Sequence, residues 1–541
     1  SHSGPRALAQ RSISIRRRFE DFTSLQSALI HVLCFSTPSM LSALIHLLAI
    51  FILPVSCEKP NVLYILGDDM RADWGVYGLP VVTPTLDSLA KRSLRFERAY
   101  CQISVCAPSR MSFMSSRRPD TSKVWNFIDT VDESVTSLPR HFRNSGYLTF
   151  GLGKGFHQGG LSKGGSAGPG CWNADDHWST ENDSDAKGFP CYPYTAGQCP
   201  HGNEGGGHCV QRDDQIYDWH LMNTTLRYLR HASQVRRKTG RPFFILSGFR
   251  KPHAPWQAPQ RMYDLYKDRD IAVAEHTTFP KGTPLIAWSK QLNVALENGT
   301  IFHYDMENAV PDWVARDQRH AYYADVSYVD EHIGKILQTL EDEGMTNNTI
   351  IIVHADHGYH LGEHGEWEKK SNFDLVVRVP LMIAVPWLSG THGLTTNSIT
   401  ELVDVGPTVA SLAGLPPLHG ADGEDVSKVF TMPRQAIKKY AFHQYPACGS
   451  PHEWNHTRTA CNISLRISSG PWATVFEVMN IDTLDGYVGI QQHYSQLIGI
   501  QMTMPKNCMT TRETMVVIWT IGKTRTLPQS VMTSFLNISM Y

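Results

Sequence analysis

The sequence predicts an α/β fold in which a large, mostly parallel sheet is flanked by helices. Two observations carry this expectation. Asn61–Leu66, Arg241–Ser247 and Thr349–His354 hold short continuous apolar runs, the pattern of strands buried on both faces. Before the last of them, Tyr322, Val326, Val329, Ile333, Ile336, Leu337 and Leu340 recur at helical spacing, which predicts an amphipathic helix with a solvated acidic face. Strands and helices in alternation build a parallel sheet covered on both sides. At 541 residues, 41% of them hydrophobic and 19% charged, the chain is long enough for two packed subdomains.

Residues 1–57 read as an address and not as a fold. Ser1–Ser39 has no starting Met and carries Arg16-Arg17-Arg18, and its Ser27-Ala28-Leu29-Ile30-His31 recurs as Ser42-Ala43-Leu44-Ile45-His46. It is expected to be a non-native extension, with the natural start at Met40. Leu41–Leu53 has the length of a signal-peptide apolar core, and Val55-Ser56-Cys57 suits cleavage, so 40–57 is expected to be a signal peptide. The run is shorter than the roughly 20 apolar residues a bilayer span needs, so no stable membrane span is expected. After the first strand, Thr83 and Pro84 supply an N-cap and an N1 proline for a helix running from Thr85 to about Arg95.

Cysteines and sequons agree with export. Cys171, Cys191, Cys199 and Cys209 lie in a Gly/Pro-rich insert, and Cys448 and Cys461 bracket a polar loop. In an oxidising compartment these would pair, the connectivity of the first four staying open. A zinc site built with His201 and His208 is the weaker alternative, because no C-x-x-C pair is present. Sequons stand at Asn182, Asn223, Asn298, Asn347, Asn455, Asn462 and Asn537. From Tyr487 to Tyr541 the only acidic residue is Glu513 and strand alternation is missing, so this tail is expected to be poorly packed.

A net charge of −1 gives no global field to draw in a polyanion, which argues against nucleic acid and leaves local clusters to hold any sulfated or phosphorylated substrate. Topology says where such a cluster forms: in parallel sheets, outside the carboxyl ends of the strands. That rule gathers Asp68 and Asp69, after the first strand, with Asp356 and His357, after the strand ending near His354. Each pair taken alone suits a turn or a helix cap. Three carboxylates from separate segments repel one another unless a cation neutralises them. Oxygen donors favour Ca²⁺ or Mg²⁺, and six or more of them favour Ca²⁺, so one Ca²⁺ ion is expected.

Between these pairs lies Cys106-Ala107-Pro108-Ser109-Arg110. Cys106 to Arg117, C-A-P-S-R-M-S-F-M-S-S-R, resembles the signature of the type I sulfatases. The resemblance continues through Gly153-Lys154-Gly155-Phe156-His157, Arg250-Lys251-Pro252-His253-Ala254-Pro255, Asp356 to Lys369, Ser371 to Asp374, Val379 to Leu381 and Asp404 to Leu415, segments similar to those of the iduronate-2-sulfatase branch. It covers Asn61 to the mid-400s. It implies an alkaline-phosphatase-like fold with a catalytic domain at 58–430, a partial C-terminal α+β subdomain at 431–486 and an aberrant tail at 487–541. It also implies that a formylglycine-generating enzyme oxidises Cys106 to formylglycine, and that the modified Cys106 joins Asp68, Asp69, Asp356 and His357 around the metal. Met114, Ser115 and Ser116 depart from the family's Leu, Thr and Gly, and Cys101 is placed to compete for a disulfide partner.

The roles implied follow from residue type. Arg110 is expected beside the aldehyde hydrate, favouring its oxyanion, with Lys154 and Lys369 as fixed cations around the sulfate. His253 is the expected general acid for the departing sugar oxygen, and His157 the acceptor of a proton from the second hydroxyl. Glu363, His364 and Trp367 are expected to shape the pocket, Trp367 being equally suited to the core, and Arg378 either meets a sugar carboxylate or forms a structural ion pair. The implied substrate is the 2-O-sulfate of terminal iduronate in heparan or dermatan sulfate, in the lysosome or outside the cell. Two alternatives stand beside it: another carbohydrate or choline-type sulfatase, and an inactive secreted glycan-binding homologue that keeps the Cys106 thiol.

Overall fold

A computed structural model describes residues 58–125, 127, 131–132, 134–157, 209–281, 287–289, 294–296, 300–448, 461–469, 472–481 and 515–516. The chain divides after Glu58, and every element below belongs to the unit Lys59–Tyr541. The expectations for the leader, the extension before Met40, most of the insert and most of the tail lie outside the described residues.

The large sheet has eight strands. They are β1 (Asn61–Gly67), β2 (Leu94–Tyr100), β3 (Leu148–Gly153), β4 (Phe243–Gly248), β5 (Thr349–Ala355), β6 (Arg378–Ala384), β7 (Thr395–Thr396) and β8 (Thr400–Glu401). Their order is β7-β2-β6-β5-β1-β4-β3, with β8 also pairing β2. β1 lies at the centre, parallel to both β4 and β5, and all of Val62–Leu66 is fully buried. Each of its aliphatic side chains contributes about 1.5–3 kcal/mol by leaving water. Only β6 runs against the rest, so two antiparallel junctions interrupt the expected parallel order. Two reversals restore the direction, and β1 to β5 all end at the same edge.

Helices flank this sheet: α1 (Pro84–Ala90), α2 (Cys106–Ser115), α3 (Tyr217–Thr239), α4 (Asp312–Asp342) and α5 (Leu402–Leu412). α3 packs on β3, β4 and α4, and α2 packs against α5. The predicted apolar stripe of α4 is buried throughout. Its acidic face differs from expectation, since Asp325 and Asp330 are buried and only acids such as Glu341 and Asp342 are solvated. Asp330 accepts the N–H groups of Thr85 and Leu86 at 3.0 and 2.7 Å and so caps α1 from a distance. Thr83 makes no such side-chain bond. α1 also stops at Ala90, well short of Arg95. Leu94, Phe96, Arg95 and Glu97 alternate inward and outward, a strand period, and become β2.

A second sheet joins β9 (Ala441–Cys448), β10 (Cys461–Ser469) and β11 (Trp472–Ile481) in antiparallel order. From within the tail, β12 (Met515–Val516) adds a two-residue parallel strand to β11, so the tail is not wholly without strand structure. The backbone register sets Cys448 opposite Cys461, and Cys209 is disulfide-bonded, which removes its thiolate from the alternative zinc site. Asn223 and Asn347, two of the sequon residues, are exposed. Among the described residues no helix is long and apolar enough to cross a membrane.

Candidate active site

Because β1 to β5 run the same way, the residues that follow them meet at one edge of the sheet. β1 delivers Asp68 and Asp69, the segment after β2 delivers Cys106, β3 delivers Lys154, the loop after β4 delivers His253, and β5 delivers Asp356 and His357. Gly153 (φ +69°) and Gly248 leave β3 and β4 side by side, and a Cβ on either would collide with the neighbouring backbone. Lys154 can leave the sheet only because both are glycine.

Cys106 opens helix α2. Ser109 Oγ donates to the Asp356 carbonyl oxygen at 2.6 Å, tying the first turn of α2 to the end of β5. The Cys106 thiol is buried, with Lys369 Nζ at 3.2 Å, Asp68 Oδ1 and His357 Nε2 each at 3.4 Å and Asp69 Oδ1 at 3.9 Å. Burial, with Asp68 beside it, pushes the thiol far up, so the unmodified side chain stays protonated and is a weak nucleophile. Cys101 is buried, with its thiol 3.8 Å from the Val376 carbonyl oxygen.

Asp68, Asp69, Cys106 and His357 place their donor atoms within 4.8 Å of one another, all buried. Asp356 stands directly behind them. Its Oδ1 accepts the N–H groups of Asp69 and His357 at 3.2 and 3.0 Å, and its Oδ2 accepts Arg110 Nε at 2.9 Å. Arg110 thus gives its Nε to Asp356 and its Nη1 to the Lys154 and Gly155 carbonyls, while its Nη2 lies 3.7 Å from Asp68 Oδ1. Asp69 holds a left-handed backbone (φ 58°), fixed by Tyr322 Oη, which donates to its carbonyl at 2.7 Å.

Two lysines close the cluster: Lys154 Nζ contacts Asp68, and Lys369 Nζ lies 2.5 Å from Asp69 Oδ1. Burial opposes ionisation of Asp68, but Lys154 and Arg110 overcome it and hold its carboxyl well below the usual range. For Asp69 burial wins, and the carboxyl is raised despite Lys369. His357 Nδ1 donates to the Gly358 carbonyl at 2.9 Å, which turns Nε2 into the cluster. His253 is oriented alike, with Nδ1 at 2.7 Å from the Ala254 carbonyl and Nε2 4.0 Å from Asp69 Oδ2. Burial, then Lys369 and Lys154, hold its imidazole well below the usual range.

This donor set fits a hard divalent cation. Buried carboxylate oxygens with one imidazole nitrogen are ligands for such an ion. Three carboxylates already face Arg110, Lys154 and Lys369, so an added dication makes the site net positive and ready for an anion.

The other expected residues make contacts of their own. His157 packs its ring against Phe127 at 4.8 Å. Glu363 is bound by Arg71 and Arg319 at 2.9 and 2.5 Å, and Trp367 is buried. His364 stacks on Phe373 at 4.3 Å. Arg378 lies 3.7 Å from Asp374 with both side chains well exposed, a weak i,i+4 pair. The sequence did not single out Asp218 or Asp325, whose only local signal is a polar residue on an otherwise apolar helix face, and it placed Tyr322 in the apolar stripe alone.

Comparison with known proteins decides the family. The sulfatase family profile matches residues 60–415. The chain belongs to the sulfatase family. It is 30% identical over 473 residues to iduronate 2-sulfatase of Mus musculus, covering 74% of this chain and 81% of that one. It is likewise 30% identical over 374 residues to choline-sulfatase of Rhizobium meliloti, covering 66% and 68%. Among solved structures, the phosphonate monoester hydrolase of Agrobacterium radiobacter superposes with a TM-score of 0.62 at 19% identity, covering 81% and 95%. A 2-O glycosaminoglycan sulfatase superposes with 0.55 at 17% identity, covering 82% and 91%. The fold is thus of the alkaline-phosphatase type, and this sulfatase is a sulfuric ester hydrolase with a buried cluster of donors arranged so that they could hold a metal ion.

Proposed function

We propose that this sulfatase hydrolyses the 2-O-sulfate of terminal iduronate in heparan or dermatan sulfate. Asp68, Asp69, Asp356 and His357 would hold one Ca²⁺ beside Cys106, itself oxidised to formylglycine during passage through the secretory pathway to the lysosome. The observation that carries the reading is Cys106 packed between Asp68, Asp69, His357 and Lys369, in a chain whose likeness to iduronate 2-sulfatase runs over 74% of its length. The formylglycine hydrate supplies a nucleophilic hydroxyl and the cation supplies fixed positive charge. The chain's own side chains do the rest. Lys154 and Lys369 bind and orient the sulfate oxygens as they gather charge. Asp356, gripped by Arg110 and Ser109, keeps the acidic segments from separating. His253 rests neutral at Nε2. An arriving sulfate anion offsets Lys369 and Lys154, so the ring can take up a proton and pass it to the departing sugar oxygen. His157 accepts a proton as sulfate is released.

A second reading, a choline-type or other carbohydrate sulfatase, draws on the equal identity to choline-sulfatase. The test is the full chain expressed with the formylglycine-generating enzyme. Peptide mass spectrometry is expected to find an aldehyde at residue 106, and sulfate is expected to be released from 2-O-sulfated iduronate disaccharides. Release only from choline sulfate or 6-O-sulfated glucosamine would select the second reading. An intact thiol with glycan binding and no turnover would leave a binding homologue. Export to the lysosome is tested by the same expression, through the cleaved leader and the compartment in which the protein collects.

A further inference from the structure

Beside the active site lies a buried ion pair that none of the proposed steps uses. Asp325, on α4, is fully buried, and its Oδ2 lies 3.3 Å from Nζ of Lys251, itself only 3% exposed. The Lys251 ammonium also donates to the Pro255 carbonyl oxygen. That bond spans His253, which sits midway between Lys251 and Pro255. Nearby, Asp218 on α3 accepts the backbone N–H groups of Arg250 and Lys251 at 2.9 and 2.8 Å, and Trp256 Nε1 donates to the Pro252 carbonyl at 2.7 Å. The loop bearing His253 is therefore clamped at its start by Asp218 and stapled across its width by Lys251.

Stability alone does not account for this pair. Two charges taken out of water repay their desolvation only in part, and apolar residues of similar volume often serve a core as well or better. What the pair supplies and an apolar pair lacks is a directed bond to one carbonyl on the far side of His253. We propose that Asp325 and Lys251 are positioning residues, holding the loop so that His253 Nε2 faces the reacting ester beside Asp69. The inference rests on His253 serving as the general acid. A displacement of about 1 Å at such a group costs on the order of a hundredfold in rate, and only substrates whose leaving group needs a proton should suffer.

The test compares a sugar sulfate with an aryl sulfate, whose phenolate departs without help. Asp325→Asn leaves the Lys251 charge buried and uncompensated and risks misfolding. The double variant Asp325→Leu/Lys251→Met removes both charges and is expected to fold with a native-like Tm. On the sugar sulfate its kcat is expected to fall by about a hundredfold, with KM within about twofold and the aldehyde content at residue 106 unchanged. On the aryl sulfate kcat is expected to stay within about twofold. Equal losses on both substrates, or none on either, would overturn the proposal. His253→Ala serves as the reference, expected to show the same selective loss. If it does not discriminate between the substrates, the role of His253 fails, and the positioning role fails with it. If it discriminates while the double variant does not, only the positioning role is lost.

Discussion

Ser116 closes helix α2 in a left-handed conformation (φ 53°), and its buried hydroxyl finds no hydrogen-bond partner. The family's glycine at this place therefore has a physical reason: a residue without Cβ adopts that backbone freely and leaves no polar atom stranded. Ser116→Gly is expected to stabilise the protein by about 1 kcal/mol, read as a rise in the denaturation midpoint. An unchanged or lowered midpoint would contradict the strain. Arg110 marks the opposite case. Fully buried and bound to Asp356 at 2.9 Å, it leaves an unpaired interior carboxylate when removed. Arg110→Met is expected to cost about 3–5 kcal/mol, whereas His253→Ala, at a partly exposed side chain that folding does not need, should cost far less. Similar losses from the two would show that Asp356 does not depend on its arginine.

Among elements, the junction between the large sheet and the second sheet turns on Glu401, at the end of β8. Its carboxylate accepts Arg118 Nη2 at 2.5 Å, Lys438 Nζ at 2.6 Å and the Phe442 N–H at 2.9 Å, joining the segment after α2 to the start of β9. Burial alone would raise its pKa, but Arg118 and Lys438 lower it from 4.5 to about 2. A carboxyl depressed in the folded state contributes stability above its unfolded pKa and loses it as pH falls through the folded one. The gap in unfolding free energy between the native protein and Glu401→Gln should be full above pH 4.5 and close between 4.5 and about 2. A gap that does not change across that window would mean the network contributes no charge-dependent stability. None of these partners was legible in the sequence, because Arg118, Glu401 and Lys438 lie far apart along it. By contrast the strand ends were legible: continuous apolar runs located β1, β4 and β5, and the direction of parallel strands then placed Asp68, Asp69, Asp356 and His357. α1 was misread for a local reason, since its helical pattern runs into a period-two pattern at Leu94, and its cap comes from Asp330, 245 residues from Thr85.

For the whole molecule, what the sequence could not convey is how thoroughly the active edge depends on balanced charge. Five strands end there, and each contributes an acid, a base or the thiol, so the charge of the edge is set by all of them together. The described residues bring three carboxylates against three cations, and Asp69 still holds a raised carboxyl. A bound dication should relieve that deficit and stabilise only the folded chain, because the unfolded one scatters its ligands. Ligand linkage then fixes the size: about 2.7 kcal/mol when the free ion is at a hundred times its Kd. Treatment with EGTA is expected to lower both Tm and sulfate release, and Ca²⁺ should restore both more fully than Mg²⁺, since the cluster draws on several segments and does not impose a small octahedral cage. Asp68→Asn with Asp69→Asn should erase the dependence of Tm on Ca²⁺ while leaving the core intact, because neither residue supports the apolar sheet. A Tm that ignores both chelator and ion in the native protein would mean that Lys154 and Lys369 alone neutralise the cluster, and that these acids hold no metal.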